Sequence, residues 1–531
     1  MNNFVKVNTM NAGANNTYTE NGALSYYTIG SAILDQFGKS SSYRGRDIET
    51  VWNEQAILWA ENPDIALKFP FYLRMITRAQ NIIGGNKTSS VQRGAGVRDE
   101  SFKRLLWIAK YHPQEFYRNL WLLPIVGSWK DLWTLLSFEG SEEYLDEQKF
   151  FEVIAEGIND NNHKDLVKKY MPRIRSNNKC KTTWSKRTNN LAKNFAHIAG
   201  WSYEDYRRYK STGKAHEFQT IICKGLYQNI NWKTIPGKAL LNLVGSKFLK
   251  NHNLEDNYYN WVMDQPVVKF NGYPYELGQK LGSARTCVSK IKKITINKQF
   301  DNLIATGKSN NGAITGNVLC ALDTSGSMNS RVQPSATTSA YDVCISLGIY
   351  FSELNTGAFH NVVAMFDAVS ELKTLRGKTF TDKWFEIRRE ETAWGNTDFQ
   401  SLIDLIIETR INHPEIDIND FPTTLLVVSD LQFDNCGENS NFEETKRKLS
   451  KFFPKEFVDN FKIIWWYCTS RTTKDFPSTM DHAGTYMFSG FDGSIISFLL
   501  GGNATEKENK IPSMEEIINI ALNQEVLTLV K

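Results

Sequence analysis

The chain has 531 residues, 41% of them hydrophobic and 23% charged, with a formal net charge of +4. That balance excludes a disordered or collagen-like chain, and at about 150 residues per domain it allows two to four domains. The seven cysteines stand singly with no C-x-x-C pair, which speaks against a disulfide scaffold or zinc ribbon and for a reducing compartment.

Residues 1–45 are rich in Asn, Ser, Thr, Tyr and Gly and read as an arm, with one short helix near Ala23–Phe37. The first residues, Met-Asn-Asn-Phe-Val-Lys, lack the apolar stretch of a secretory leader. A helical pattern then runs through residues 46–312. Apolar residues recur at three- and four-residue spacing in Val51–Ala60, Ile65–Ile83, Asp99–Lys110 and Pro113–Leu122. Further helical segments are Glu142–Ile158, Lys164–Tyr170, Thr188–Ala199, Tyr203–Thr212, Glu217–Gln228 and Gly237–Asn251, with Pro and Gly at the joins. Short helices on short connections predict antiparallel pairs stacked as a helical-repeat, HEAT-like domain, although no clean sequence period is present.

The pattern changes near Ile314. Asn317–Asp323, Val362–Phe366, Thr424–Ser429, Phe461–Cys468 and Thr485–Phe488 read as strands. Ser339–Leu354, Asp398–Arg410, Phe442–Phe453 and Ser494–Leu500 read as helices between or after them. Alternation of this kind predicts a doubly wound parallel sheet over residues 313–505, with ligands bound beyond the carboxyl ends of its strands. Residues 506–531 end in a helix opened by the capping-box pattern Ser513-Met-Glu-Glu516. The longest apolar runs, such as Leu425–Val428 and Ile463–Tyr467, are strand length and well short of the roughly 20 residues that cross a bilayer. These features predict an α plus α/β chain in the cytoplasm, or in the virion were the source a phage.

Directly after the first strand of the sheet comes Asp323-Thr-Ser325-Gly-Ser327. This D-x-S-x-S spacing puts one carboxylate and two hydroxyls on one tight loop. Thr397 adds a hydroxyl on the loop Gly395-Asn-Thr397-Asp, and Asp430 stands at the end of the central strand. Hard cations such as Mg2+ take oxygen ligands of this type, and Mg2+ is the expected cofactor, with Mn2+ and Ca2+ chemically open. The bland alternative is a loop that caps its strand and holds no metal.

Charge is unevenly placed. Residues 161–250 hold 19 Lys+Arg against 4 Asp+Glu, whereas residues 316–505 hold 16 against 25. A basic block of that size is a footprint for polyanions, or else a solvated helical surface balancing the acidic domain. Within it, Arg173, Arg175, Lys179, Lys181, Lys186 and Arg187 surround Trp184, and Arg207 and Arg208 lie among Tyr203, Tyr206 and Tyr209. Cations interleaved with aromatics suit phosphate contact and base stacking. The alternative makes the tyrosines helix packing and the arginines solvated. Gly94-Ala-Gly96 before a helix is a weaker candidate for a phosphate-cradling turn.

Asp323, Ser325, Ser327, Thr397 and Asp430 match, position by position, the metal-ion-dependent adhesion site of von Willebrand factor A-like (VWA) domains, and the region resembles that family. The resemblance implies that Ser325, Ser327 and Thr397 reach the metal, that Asp323 and Asp430 act directly or through water, and that one position stays open for a partner's carboxylate. The whole chain also resembles the TROVE-module proteins, which include the Ro RNA-binding autoantigen, and more closely an uncharacterised TROVE-like family carrying a VWA domain. The strings that carry this are Gly94–Asp99, Leu123–Leu132, Tyr206-Arg207, Asn231–Ala239, Phe399 after Thr397-Asp398, Asp430–Asp434 and Ser489-Gly490-Phe491. In Ro proteins the helical repeats form a ring closed by the VWA domain and bind structured and single-stranded RNA. The resemblance therefore implies a monomeric ring that binds small non-coding RNA.

Two function classes compete: a non-catalytic RNA-binding protein, and a structural scaffold that grips a partner protein's carboxylate through its metal. No P-loop, triad, zinc cluster or paired-carboxylate motif stands out, so no enzymatic activity is expected.

Overall fold

The computed structural model describes residues 15–40, 44–75, 82–83, 86–87, 94–212, 217–283, 286–311, 313–332, 337–389, 395–469, 475–491 and 513–531. These form two compact units. A helical unit comprises residues 46–235, 250–255 and 520–531; a sheet unit comprises the described residues among 1–45, 236–249 and 256–519. The architecture is α plus α/β, and among the described residues no helix is long and apolar enough to cross a membrane. The grouping breaks the chain at residue 45, and the helices after residue 236 fall with the sheet unit, where they pack on its helices.

In the arm, β1 (Asn16–Tyr18) pairs antiparallel with β2 (Leu24–Tyr26), and α1 spans Ala32–Lys39. The helix expected from Ala23 starts later for a local reason. Tyr26 exchanges backbone hydrogen bonds with Phe476 at 2.9 and 2.8 Å, which holds the chain extended. Gly30 at φ 129° then lies outside helical space, and Ser31 caps α1 by accepting from Leu34 N.

The helical unit opens with α2 (Ile48–Glu61), α3 (Pro63–Arg74) and α4 (Arg98–Tyr111). Asn62 ends α2 and caps α3, with Pro63 in the first turn where its missing N–H costs nothing. The helix predicted to run to Ile83 stops at Arg74. Ile82 and Ile83 instead pair antiparallel with Lys87 and Asn86, across the Gly84-Gly85 step in the sequence. The buried Gln55 and Arg104 are matched across the helices. Gln55 donates to Ala66 O at 2.9 Å and accepts from Arg104, which also binds Glu100.

Next come α5 (Trp129–Leu136), α6 (Glu147–Asn159), α7 (Lys164–Tyr170), α8 (Thr183–Ile198) and α9 (Tyr203–Ser211). Trp133, Phe151, Phe195 and Tyr206 form a ring-to-ring core among α5, α6, α8 and α9. The Leu123–Leu132 string is a short helix, Leu123–Val126, a Gly127-Ser128 turn and the first turn of α5. Its Asp131 accepts from Ser128 N at 2.8 Å and forms a buried ion pair with Arg74 at 2.6 Å.

In the sheet unit, α10 (Gly237–Val244), α11 (Pro274–Leu281) and α12 (Lys290–Asn311) precede the strands. The strands are β3 (Val318–Asp323), β4 (Val362–Phe366), β5 (Ser370–Thr374), β6 (Thr424–Ser429), β7 (Lys462–Tyr467) and β8 (Thr485–Ser489), in the order β8-β7-β6-β3-β4-β5. All neighbours are parallel except the edge strand β5, which runs antiparallel to β4. β3 and β6 are buried along their whole length, as expected of central strands covered on both faces. The interposed helices are α13 (Ala340–Leu354), α14 (Phe380–Arg389), α15 (Phe399–Asn412) and α16 (Asn441–Leu449). α12 packs against α14 through Phe300 stacked on Phe380 at 4.2 Å. The helix predicted at Ser494–Leu500 lies outside the described residues. The Ser513–Glu516 capping box is formed and opens a helix over Met514–Leu522.

Candidate functional site

Since β3 and β6 are adjacent and parallel, Asp323 and Asp430 emerge at the same edge of the sheet. Asp323 is fully buried. Its Oδ1 accepts from Ser325 N at 2.9 Å, closing the turn, and its Oδ2 accepts from the Ser429 hydroxyl. Ser429 Oγ in turn accepts from Leu431 N at 2.8 Å. Leu431 has φ 61°, an unusual and strained conformation for a branched side chain. The bend it makes turns the chain immediately after Asp430.

The hydroxyls converge as the spacing predicts. Ser325 Oγ and Ser327 Oγ are 3.1 Å apart. Gly326 N donates to Gly395 O at 3.3 Å, which ties the D-x-S-x-S loop to the loop bearing Thr397. Thr397 is buried, and its carbonyl accepts from Asp434 N at 2.9 Å, tying that loop to the one after β6. Backbone bonds thus bring all three sequence elements to one place. Burial, with the charge of Asp430 second, pushes the Asp323 carboxyl up to about 7, against the hydrogen bonds from Ser325 and Ser429. Cys344 and Cys468 lie close by, donating to the carbonyls of Val428 and Ser429 at 3.3 and 3.4 Å. Burial raises both thiols well above their ordinary value, so they pack as small apolar groups and not as nucleophiles.

Among the described residues no three His, Cys, Asp or Glu side chains converge as metal ligands. The donor set at the sheet edge is of another kind, with two mutually repelling carboxylates and the Ser325–Ser327 hydroxyl pair. Two buried carboxylates that repel each other, together with a hydroxyl pair, fit a hard cation, which would relieve the repulsion and take oxygen ligands. A residue the spacing did not single out is Ser429, which fixes Asp323. Its place immediately before Asp430 was the available signal. The arm also reaches this edge. Thr19 Oγ1 donates to Phe433 O, and Asn21 Nδ2 to Gln432 O, each at 2.7 Å. No sequence pattern announces that contact.

The basic candidates divide by their surroundings. Arg173, Arg175, Lys179, Lys181 and Lys186 are exposed, and Trp184 on α8 is 51% exposed. Arg187 is half-buried, pairs with Glu142 and donates to Ser141 Oγ at 2.8 Å, so it holds the turn before α6. Arg207 is exposed; Arg208 is exposed too, but faces Glu204 and Asp205 on its own helix at 3.4 and 3.8 Å. Tyr206 is buried, with its hydroxyl on Pro172 O at 2.8 Å, which is packing and not a surface for stacking. Gly94 has a structural use. Its N–H donates to Met75 O at 3.0 Å, and a Cβ there would overlap the Tyr72 carbonyl, so that amide is not aimed at an anion.

Residues 317–526 match a family described as a domain of unknown function (DUF7788), and residues 19–220 match a second, DUF2828. The chain is 24% identical over 540 residues to an uncharacterized protein of Acanthamoeba polyphaga mimivirus, covering 93% of this chain and 86% of the relative. Among solved structures it is similar to the crystal structure of Deinococcus radiodurans RO (RSR) protein, at 12% identity and a TM-score of 0.41, over 81% of this chain and 98% of that one.

Proposed function

We propose that this is a non-catalytic RNA-binding protein that holds small structured or single-stranded RNA on the basic surface of its helical unit, and that its sheet unit is a VWA-like domain with a Mg2+ adhesion site. The observation that carries the RNA reading is Trp184. A tryptophan 51% exposed on a helix, with Lys179, Lys181 and Lys186 exposed around it, offers a ring for stacking beside cations for phosphates. Arg173 and Arg175 extend the same charge. The test is fluorescence anisotropy of the full chain with a labelled 20-nucleotide single-stranded RNA, at several salt concentrations. Saturable binding that weakens steeply with salt supports the reading, and salt-independent or absent binding overturns it.

In the sheet unit, Asp323, Ser325, Ser327, Thr397 and Asp430 would hold the ion. When bound, the ion supplies an open coordination position for an external oxygen ligand. The protein's part is to fix Asp323 through Ser325 N and Ser429 and to aim Asp430 by the Leu431 bend. A second reading, a scaffold that grips a partner protein's carboxylate, is favoured by this cluster specifically, since its residues belong to the sheet unit and the basic residues to the helical unit. In that case chelation of Mg2+ or Asp323→Ala releases a co-purifying protein while RNA affinity stays unchanged.

A further inference from the structure

The arm bonds to both loops that flank the sheet edge at Asp430 and Thr397. Its contacts with the loop after β6 fall on Gln432 and Phe433. Glu20 N donates to Gln432 Oε1, Asn21 Nδ2 to Gln432 O and Thr19 Oγ1 to Phe433 O, each at 2.7 Å. Gln432 is buried two residues past Asp430, and its own N–H donates to Asp430 Oδ1 at 3.3 Å. The arm therefore holds Gln432 by its two oxygens, while Gln432 holds the Asp430 carboxylate by its nitrogen. Asn21 also bonds the Asp434 carboxylate, and Asp434 N donates to Thr397 O at 2.9 Å. Asn21, Asp434 and Asp398 share the wall of a cavity of about 610 Å³.

A second observation comes from the backbone. Leu431, between Asp430 and Gln432, has φ 61°. A branched residue keeps such a conformation only where its surroundings over-determine it. On one side Ser429 Oγ accepts from Leu431 N at 2.8 Å. On the other side stand the arm's three hydrogen bonds to Gln432 and Phe433. The arm can resist relaxation of the bend because it is anchored elsewhere as well. Tyr26 exchanges backbone hydrogen bonds with Phe476, and Met480 N donates to Ile29 O at 2.8 Å. Lys39 Nζ lies 3.8 Å from the centre of the Phe476 ring.

We propose that the arm is a clamp on the metal site, with Thr19 and Asn21 as positioning residues that act through Gln432, Phe433 and Asp434 to keep Asp430 and Thr397 in place. The clamp rests on the reading in which Asp323, Ser325, Ser327, Thr397 and Asp430 hold Mg2+. Coupling between two equilibria is reciprocal. Seating of the arm strengthens ion binding, and the ion tightens the arm by the same factor.

Two measurements on the full-length protein test this. The first is isothermal titration calorimetry with Mg2+. The double variant Thr19→Val with Asn21→Ala removes two donors of the arm and leaves every proposed ligand intact. Its Kd for Mg2+ is expected to rise about tenfold, within the usual range of coupling between sites. Phe300→Leu, a change in the contact of α12 with α14, serves as the control for general loss of stability and keeps wild-type affinity. The second is hydrogen–deuterium exchange of residues 16–26, which needs no substitution in the arm. Mg2+ is expected to slow exchange there more than in the edge strand β5, and to have no such effect in Asp323→Asn. A folded double variant that binds Mg2+ as tightly as wild type overturns the clamp and leaves the metal reading standing. An equal loss of affinity in Phe300→Leu, or arm exchange in wild type that Mg2+ leaves unchanged, does the same. If wild type fails to bind Mg2+ saturably, the metal reading falls and the clamp falls with it.

Discussion

Replacing Asp323 with Asn separates the cost of the buried carboxylate pair from the benefit of the cation that it would hold. Asn keeps the shape and keeps an acceptor for Ser325 N, while the Ser429 hydroxyl can turn to accept instead of donate. What is lost is the charge. The carboxyl of Asp323 is raised from an ordinary 3.8 to about 7. The folded protein therefore holds that proton more tightly than the unfolded chain, and ionising it costs stability as pH rises from about 4 to 7. A shift of that size is worth at most on the order of 4 kcal/mol at pH 8. Readjusted hydrogen bonds return part of it, roughly 1 kcal/mol each. In EDTA at pH 8, Asp323→Asn is thus expected to be more stable than wild type by about 2 kcal/mol, or roughly 4–8 °C in Tm for a unit of this size. The advantage shrinks as pH falls toward 4, where the folded carboxyl is protonated and the unfolded one starts to take up its proton. Mg2+ at about 100 times its Kd then adds about 2.7 kcal/mol to wild type and nothing to the variant. Differential scanning fluorimetry across pH 4–8, with EDTA or Mg2+, reads all of this. A variant less stable than wild type in EDTA at pH 8 would refute the electrostatic argument. Equal Mg2+ shifts in both proteins would refute the proposed ligand set.

Other expectations follow from the helical unit. Removing three exposed cations of the proposed RNA surface by Lys179→Ala, Lys181→Ala and Lys186→Ala together should flatten the slope of log affinity against log salt by about 2 for single-stranded RNA, measured by anisotropy. Trp184→Ala should weaken RNA binding by about 1–3 kcal/mol yet shift stability by less than about 0.5 kcal/mol, since the ring is half exposed; a large fall in Tm would make Trp184 a packing residue instead. Arg74→Met strands Asp131 in the interior and should cost about 3–5 kcal/mol, read from chemical denaturation; a neutral result would mean that Asp131 is satisfied by its cap alone. Gly94→Ala forces the Tyr72 carbonyl aside and should cost about 1–3 kcal/mol in the same assay.

The parts of this protein that could be read from sequence are those whose chemistry is local. β3 is a short apolar run that ends in Asp323 and β6 one followed at once by Asp430, and their burial on both faces follows from that composition. The Ser339, Ser440 and Ser513 caps are likewise written in neighbouring residues. Other features went unread, and three of them have a plain physical reason. β5 is an edge strand with polar, largely exposed residues, so no apolar run marks it. The arm seats on the loop after β6 chiefly through backbone carbonyls, which any side chain could accompany. Arg187 cannot be told from Lys186 in a linear reading, yet one bonds Glu142 and Ser141 while the other is free in solvent.

The same reasoning explains why the cavity at Asp398 and Asp434 has no linear signature. Its wall draws on the arm, the α15 cap, the loop after β6 and α16, segments that the sheet topology alone brings together. Asp398 reads as a helix cap and Asp434 as a loop acid, and each is adequately explained alone. Only the fold brings the two carboxylates to one cavity wall. A residue can therefore serve the fold through one atom and stay available through another. Asp398 does so directly, capping α15 with one oxygen while its side chain still lines the cavity.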